Sequence, residues 1–336
     1  MNKWSRLLLA LILSGCILFA GAKIGSVAID FPTLFQTLFS RNSGTLDETT
    51  VAILWNVRFP RVIMAFLVGA ALAVSGTVMQ SLLGNPLASA YTLGVSSGAS
   101  LGAALVIITG FTLPIVSGLV LPFVGFVFGL VTVLLVLAMS QRLDQQMSNQ
   151  TVILVGMVMT LFVGAMLTMI TALFKDYLQQ LVFWQMGSFS GSTWGNIQIF
   201  LPIVLLAVAW LWLDASALDV LSLGEEQAMV SGVEVKSLKL RVMILAALLA
   251  GSAVSFVGVI GFVDLIAPHV IRRYFGAAHR WVLPGAALLG GSLMVVSDTI
   301  SRTIMSPQEI PIGAVTAFIG APFFMYVYFS KRRSKR

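Results

Sequence analysis

Three arginines that have the chemistry to bind carboxylates lie next to long apolar stretches of the sequence. Arg58 and Arg61 precede one such stretch, and Arg302 follows another. Guanidinium groups pair bidentately with carboxylates, so this group predicts a docking patch for an acidic partner. Two other interpretations stay open: each side chain could extend to lipid phosphates, and Asp298 could form a local ion pair with Arg302, four residues later.

A single acid interrupts another apolar stretch. Asp264 is the only acidic residue among residues 242–271, and ionisable groups inside a bilayer are functional candidates. Its carboxylate could bind a proton or a cation in an ion-coupled transporter. His269 follows in the same stretch, next to a proline, and a capping or packing role is expected for it.

Several other kinds of chemistry lack the residues that they need. His269, His279 and Cys16 are the only histidines and the only cysteine, so no metal site is predicted. No glycine-rich loop ends in Lys-Ser or Lys-Thr, so the chain is not expected to hydrolyse nucleotides, and no cofactor is expected. An intramembrane enzyme is disfavoured because no nucleophile and base can be paired from the sequence.

Residues 214–241 form the longest polar interval of the sequence. Within it, residues 219–240 combine acids, apolar residues and glycines, which predicts two short helices that end at glycines. Apolar side chains among acids suit a groove on a soluble partner, and a solvated connector is the competing interpretation. The predicted apolar ridge consists of Leu223, Ala228, Met229 and Val233. The other candidate contact residues are Gly224, Glu225, Glu226 and Gly232.

The composition requires that membrane spans carry these residues. The 336 residues are 58% hydrophobic and 10% charged, with a mean hydropathy of +0.98. A soluble domain carries about 25% charged residues, so an all-α polytopic membrane protein is predicted. About ten spans of about 20 residues leave no room for a large extramembrane domain, so one transmembrane domain is predicted for the whole chain.

Two apolar stretches must each be divided into more than one helix. Residues 93–139 carry no charge and are too long for one span, so a turn is predicted at residues 110–114. Residues 242–271 have basic residues on both flanks but are too short for two full spans. One full helix and one short, broken helix are therefore predicted, with the interruption at residues 258–261.

The basic residues predict the orientation of the spans. With both termini in the cytoplasm, fourteen of the 20 basic residues lie on the cytoplasmic side, including a basic tail at residues 331–336. The other six are Lys23, Arg41, Arg58, Arg61, Lys175 and Arg302. Orientation and contact with membrane lipid thus explain the net charge of +7, and nucleic-acid binding is not expected.

The sequence also contains a faint internal repeat. Aligning the segment that begins at Arg61 with the one that begins at Arg241 gives six identities in fifteen positions. Asn85-Pro86 and Ala267-Pro268 then fall at nearly corresponding places. Because the predicted topology puts Arg61 outside and Arg241 inside, the two copies would be inverted, which is typical of transporters.

Together these motifs resemble the FecCD-type permeases of bacterial ABC importers, which carry iron-siderophores, haem and cobalamin. The resemblance runs from the second span to the C-terminus, and it departs from the family pattern at Ala90, Ser231 and Asp264. The matching runs are R-F-P-R at 58–61, G-A-A-L-A-V-S-G at 69–76, N-P-L-A at 85–88, L-G-V-S-S-G-A at 93–99, L-G-E-E-Q-A at 223–228, G-F-V-D-L-I-A-P-H-V-I-R at 261–272 and I-P-I-G-A-V-T-A-F-I-G-A-P at 310–322.

The resemblance implies an inverted-repeat permease fold of ten helices and a second permease subunit, identical or paralogous. It implies that Arg58, Arg61 and Arg302 dock an extracytoplasmic substrate-binding lipoprotein. It also implies that residues 219–240 are the coupling loop, which contacts an ATP-binding-cassette ATPase that consumes the ATP. The residues at the position of the family's cytoplasmic gate are Ser148, Asn149 and Gln150.

The predicted function is therefore that of a permease subunit in the bacterial cell membrane, driven by a separate ATPase. A ferric siderophore is the expected substrate because it is the commonest cargo of the family. Haem and cobalamin are the alternatives within the family. An ion-coupled transporter that uses Asp264 is the alternative from a different class.

Overall fold

The chain is helical throughout the part that a computed structural model describes, residues 2–25, 29–39, 47–112 and 117–333, where no β-strand occurs. A π-helical turn covers Leu54–Arg58, and 3-10 turns cover Ala90–Leu93 and Lys175–Tyr177. In chain order the α-helices are α1 (Lys3–Lys23), α2 (Phe31–Phe39), α3 (Glu48–Ile53), α4 (Phe59–Leu82), α5 (Val95–Thr109), α6 (Ser117–Leu143), α7 (Asn149–Leu173), α8 (Leu178–Met186), α9 (Trp194–Leu213), α10 (Ala215–Leu221), α11 (Glu225–Val230), α12 (Val235–Val257), α13 (Val263–Phe275), α14 (His279–Thr303) and α15 (Ile312–Arg333).

Seven helical segments in the described ranges are long and apolar enough to cross a membrane. They are α1, the continuous segment from α3 to α4, α6, α7, α9, α12 and α14. The shorter helices α5 and α15 are also apolar, and α13 is a further short helix of 13 residues that packs against α4. The predicted all-α membrane fold, with approximately ten spans, is confirmed.

Helix α4 lies at the centre of the bundle and is buried along almost its whole length. Helices α12, α13 and α14 pack against it. A Cβ atom at Gly69 would overlap the carbonyl oxygen of Gly290 in α14, and one at Gly76 would overlap that of Asp264 in α13. The small residues of α4 therefore allow contact between backbones, which helps to hold helices together in lipid.

Both predicted interruptions are present. Helix α5 ends at Thr109 and α6 begins at Ser117, with residues 113–116 outside the described ranges. Gly258 follows α12 with a φ of +82°, a conformation that glycine adopts without steric cost. Residues 258–262 separate the full-length α12 from α13, which has 13 residues.

The ends of the helices define two ends of the bundle. Helix α4 begins where Arg61 contacts Asp298, near the end of α14. It finishes where Ser81 contacts His279, at the start of α14. We call the first the arginine end and the second the loop end, because residues 219–240 lie there.

Helix α12 begins at the loop end. Arg241 pairs with Asp214 just after α9, and the neighbouring Trp212 donates to the carbonyl of Arg280 near the start of α14. Helices α4 and α12 are therefore antiparallel, in agreement with the inverted repeat. The two prolines are not equivalent, because Pro86 lies in the loop after α4 whereas Pro268 lies within α13.

Three of the basic residues that the partition puts on one side of the membrane lie together at the arginine end. Lys23 is the last residue of α1, where Arg58 and Arg302 also lie. Arg41 and residues 334–336 of the predicted tail lie outside the described ranges. The direction of this arrangement relative to the cytoplasm stays a prediction.

Candidate functional site

Arg61 binds two carboxylates at the arginine end. Its Nη2 lies 2.8 Å from Oδ1 of Asp298, and its Nε also donates to that carboxylate. Its Nη1 lies 2.5 Å from Oε1 of Glu309, which lies in the loop between α14 and α15. Arg61 is 6% exposed, whereas the side chain of Glu309 is 37% exposed. The carboxylate of Asp298 is therefore internal, and that of Glu309 lies at the rim of the arginine end.

Arg58 and Arg302 bind the end of α1. Nη1 of Arg58 donates to the carbonyl oxygens of Ala22 (3.1 Å) and Lys23 (2.7 Å), and Arg302 donates to that of Gly21. The last carbonyls of a helix lack partners within the helix and carry the negative end of its dipole, so cations are favourable there. These two arginines join α1 to α4 and α14.

The structure brings the three predicted docking arginines together, but their side chains are buried within the protein. The guanidinium groups are buried and bind protein atoms, so the interpretation that they extend to lipid phosphates is wrong. The ion pair between Asp298 and Arg302 is confirmed at 3.5 Å, although Arg61 lies closer to Asp298. Docking by these arginines stays a prediction.

Sequence reasoning missed Glu309. The available signal was a single acid in a loop between two apolar spans, on the side that the sequence predicts to be extracytoplasmic. Nothing in the spacing indicates that Glu309 meets Arg61, which lies 248 positions earlier.

At the loop end, the polar interval of residues 214–241 contains the two predicted short helices, α10 and α11. Gly224 and Gly232 follow them with φ values of +130° and +84°, so the predicted glycine ends are confirmed. The loop is shorter than predicted, because residues 235–240 already belong to α12. Asp214 and Arg241, 2.7 Å apart, bridge α9 and α12 at its two ends.

The exposed apolar surface of this loop differs from the predicted ridge. Ala228, within α11, is fully buried on the side of the helix that faces the bundle, and Val233 is half-buried. Leu223, Met229 and Val230 are the exposed apolar residues. The sequence alone could not show which side of a six-residue helix faces the bundle.

The predicted gate residues Ser148, Asn149 and Gln150 lie at the loop end, where α7 begins. Asp144 accepts the backbone N–H groups of Gln146 (2.9 Å) and Ser148 (2.8 Å), which closes a tight turn before the helix. Hydrogen bonds from the side chain and backbone of Ser148 lower the pKa of Asp144 to about 2. A gating role for these residues stays a prediction.

Lys239 connects this turn to the coupling loop. Its Nζ donates to Oε1 of Glu225 (2.6 Å) and to the carbonyl oxygen of Met147 (3.0 Å). Glu225 is the first residue of α11, and Met147 immediately precedes the predicted gate. The structure thus joins two predicted sites that are far apart in sequence.

Contrary to the expectation that no nucleophile and base could be paired, the loop end contains a serine, a histidine and an aspartate in a row. Oγ of Ser81 lies 2.6 Å from Nε2 of His279, and Nδ1 of His279 lies 2.6 Å from Oδ1 of Asp219. Asp219 also accepts the backbone N–H of His279, and Arg272 donates to Ser81. His279 is fully buried, and the row joins α4, α10 and α14.

Asp264 lies in the first turn of α13. Its carboxylate accepts the hydroxyl group of Ser89, which precedes the 3-10 turn before α5. Its carbonyl oxygen accepts Nε2 of Gln80 at 3.2 Å. In the described ranges no three potential ligands cluster as a metal site. His269 packs edge-on against Phe323 of α15, which confirms the predicted packing role.

Comparison with known families connects the chain to transport. The model of the FecCD transport family matches residues 8–330 of this chain. The chain belongs to the FecCD family. FecCD proteins are permease subunits of ABC transporters and are not catalytic.

Curated FecCD relatives match the chain over most of its length. The ABC transporter permease YvrB of Bacillus subtilis is 39% identical, over 100% of this chain and 96% of its own length. The hemin transport permease HmuU of Yersinia pestis is 36% identical, over 98% and 97%. The vitamin B12 import permease BtuC of Vibrio vulnificus is 37% identical, over 82% of each chain.

A solved structure has the same fold. It is described as an inward-facing conformation of a metal-chelate type ABC transporter, and it shares 32% sequence identity with this chain. The superposition covers 97% of this chain and 99% of the other, with a TM-score of 0.86. The predicted inverted-repeat permease fold of the FecCD family is thereby confirmed.

Proposed function

We propose that this chain is the membrane-spanning permease of an ATP-driven importer of metal chelates and works as one of a pair of permease subunits. The observation that carries the proposal is the agreement, over nearly the whole chain, with a metal-chelate type ABC transporter. The proposed location is the bacterial cell membrane, with both termini and the loop end in the cytoplasm.

In this proposal the loop end contacts a separate ATPase subunit. Val230, at the end of α11, is 91% exposed, and Leu223 and Met229 are exposed beside it. Exposed apolar side chains that are bordered by the acids Glu225 and Glu226 suit a groove on a soluble partner. ATP binding and hydrolysis belong to that partner, and this chain needs no cofactor.

The arginine end would receive the substrate-binding lipoprotein. Arg61 already holds one carboxylate at the rim, that of Glu309, and an acidic side chain of the lipoprotein would take the same position. Arg58 and Arg302 would contribute mainly positive charge, because both bind the end of α1. Such charge guides association and favours acidic partners.

A ferric siderophore is the proposed substrate because it is the commonest cargo of the family. Hemin is the second candidate, since the hemin permease HmuU matches 98% of this chain. Cobalamin is the third, on the similarity to BtuC. All three are metal chelates too large for a simple ion site.

The test is uptake into vesicles that contain the permease pair and the ATPase, supplied with the lipoprotein and each of the three chelates in turn. We expect uptake of one chelate that requires hydrolysable ATP and persists when the proton gradient is collapsed. A non-hydrolysable ATP analogue is the control. Uptake without ATP that stops with the proton gradient would instead support the ion-coupled transporter, and Asp264→Asn would then abolish it.

A further inference from the structure

A buried lysine lies near the start of α12. Lys239 is 1% exposed, although lysine is almost never fully buried without a partner. An ammonium group loses much of its hydration on burial, and only paired, well-placed acceptors offset that loss. The partners of Lys239 therefore define why a lysine is present there.

The two acceptors belong to segments that are separate in sequence and in predicted role. Glu225 begins α11, in the coupling loop, and its carboxylate lies 2.6 Å from Nζ of Lys239. Met147 ends the turn before α7, and its carbonyl oxygen lies 3.0 Å from the same nitrogen. One ammonium group thus bridges the coupling loop and the predicted gate.

On the side of the predicted gate, Lys239 binds a carbonyl group that belongs to a tightly hydrogen-bonded turn. Met147 is buried and has a φ of +51°, a conformation uncommon for residues other than glycine. Asp144 holds the N–H groups on both sides of it, those of Gln146 and Ser148. A displacement of the Met147 carbonyl would therefore move the whole turn and the first residues of α7.

On the other side, the bridge is attached to a short, protruding element. Helix α11 has 6 residues and lies between Gly224 and Gly232, both with positive φ. Val230 and Met229 extend from it, whereas Ala228 packs inward. A partner that pushes on these exposed side chains would move α11, and Glu225 would move with it because it is the first residue of the helix.

We propose that Lys239 transmits movement of α11 to the start of α7 and so links ATP hydrolysis to the opening of the gate. The proposal rests on the proposed function of the chain. Lys239 is a positioning residue here: it contacts no substrate and acts through Glu225 and Met147. A lysine that only stabilised the fold would affect assembly and would leave the ratio of transport to hydrolysis unchanged.

The experiment measures chelate uptake and ATP hydrolysis in the same vesicles, with the complete complex, and reports uptake per ATP. Lys239→Met keeps the length of the side chain and removes the ammonium group. Coupling of this kind typically changes an equilibrium by at least about five-fold, so uptake per ATP is expected to fall by about five-fold or more. Lys239→Arg, which restores a cation, is expected to recover part of the ratio.

Lys236→Met is the matched control. Lys236 lies three positions earlier in α12 and is exposed, so the same substitution there leaves uptake per ATP unchanged. Glu225→Gln removes the ion pair at a half-exposed position, so it tests the bridge even if the Lys239→Met complex does not assemble. This variant is expected to lower the same ratio.

Unchanged uptake per ATP in an assembled Lys239→Met complex would overturn the proposal, as would a proportional loss of uptake and hydrolysis. Unchanged uptake per ATP in Glu225→Gln would overturn it if Lys239→Met fails to assemble. Absence of ATP-dependent uptake in the unmodified complex would instead contradict the proposed function, so the two failures are distinguishable.

A direct measurement of movement completes the test. Spin labels at Ser148→Cys and Val230→Cys, both exposed sites, report the distance between the gate and α11 after Cys16→Ser removes the native thiol. With Lys239 present, this distance is expected to stay nearly constant when ATP binds to the complex, because the two sites move together. In Lys239→Met it is expected to change, and a constant distance in both would contradict the bridge.

Discussion

At the arginine end, three cationic side chains and two carboxylates share a small, largely buried space. Arg61 lies between Asp298 and Glu309, and Arg58 and Arg302 hold the carbonyl end of α1. A buried ion pair contributes little net stability, but removal of one partner is costly because the other charge remains in a low-dielectric site. Structural and docking roles must therefore be separated by substitutions that affect only one of them.

Asp298→Asn is expected to destabilise the protein by about 3 kcal/mol, because Arg61 then loses its internal carboxylate. Glu309→Gln removes the half-exposed partner and is expected to cost at most about 1 kcal/mol. Thermal unfolding in detergent, followed by light scattering, compares the two variants. Equal losses would show that Asp298 is not the dominant partner of Arg61.

Glu309→Gln is also expected to strengthen docking of the lipoprotein, since the Glu309 carboxylate competes for Arg61 in the proposed complex. A gain of about three-fold to ten-fold in affinity is reasonable for a single carboxylate at a charged interface, and it should shrink at high salt. Titration of the lipoprotein onto the reconstituted permease, at low and at high salt, measures this affinity.

The control for this docking experiment is Glu48→Gln. Glu48 is an exposed acid at the start of α3, on the same end of the bundle, and it should leave the affinity unchanged. Weaker docking of Glu309→Gln would mean that Glu309 itself contacts the lipoprotein.

At the scale of the elements, sequence signals predicted the breaks better than the limits of the helices. The interruption at residues 258–261 was predictable because basic flanks on one side of the membrane leave too few residues for two spans. The start of α12 was not predictable, because Lys236 and Lys239 make the first turns of this helix as polar as a loop. Hydropathy cannot distinguish a polar helix end from a connector.

Gly76→Ala tests the backbone contact between α4 and α13. A methyl group there would overlap the carbonyl of Asp264, so we expect a loss of about 1–3 kcal/mol in stability from overpacking. Gly164→Ala in α7 is the control, because a Cβ at that position meets no atom within 4 Å. Unfolding in detergent should show a lower midpoint only for the first variant.

At the scale of the whole molecule, the sequence predicted the fold class and the approximate number of spans. It could not predict which arginine meets which acid, because Arg61 and Asp298 are 237 positions apart and lie on different helices. The Ser81–His279–Asp219 row was hidden for the same reason, since three helices contribute to it.

The proposed pairing of permeases makes a prediction about α7. A path between two subunits that is closed by a gate at the start of α7 requires this helix to face the partner. Leu161→Cys in a Cys16→Ser background is expected to form a crosslink between subunits under mild oxidation if the subunits are identical, and with a matching cysteine on a paralogue otherwise.

Leu206→Cys in α9 is the matched control for this crosslink. Leu161 and Leu206 are 73% and 71% exposed, so they are equally accessible in the isolated chain. Denaturing gels without reductant give the result. Crosslinking at Leu206 and none at Leu161 would place the partner against α9 instead.

The glycine contacts of α4 restrict how the protein can change shape. At Gly69 and Gly76 the main chain of α4 touches α14 and α13 directly, so no side chain can rotate to accommodate sliding. Between α6 and α12 the packing is looser, since a Cβ atom added at Gly125 would meet the Cβ atom of Ser255 at 3.4 Å, an ordinary van der Waals distance, so small displacements are allowed there. Helices α4, α13 and α14 therefore form one rigid block, and we expect shear during each cycle to concentrate along the α6–α12 boundary.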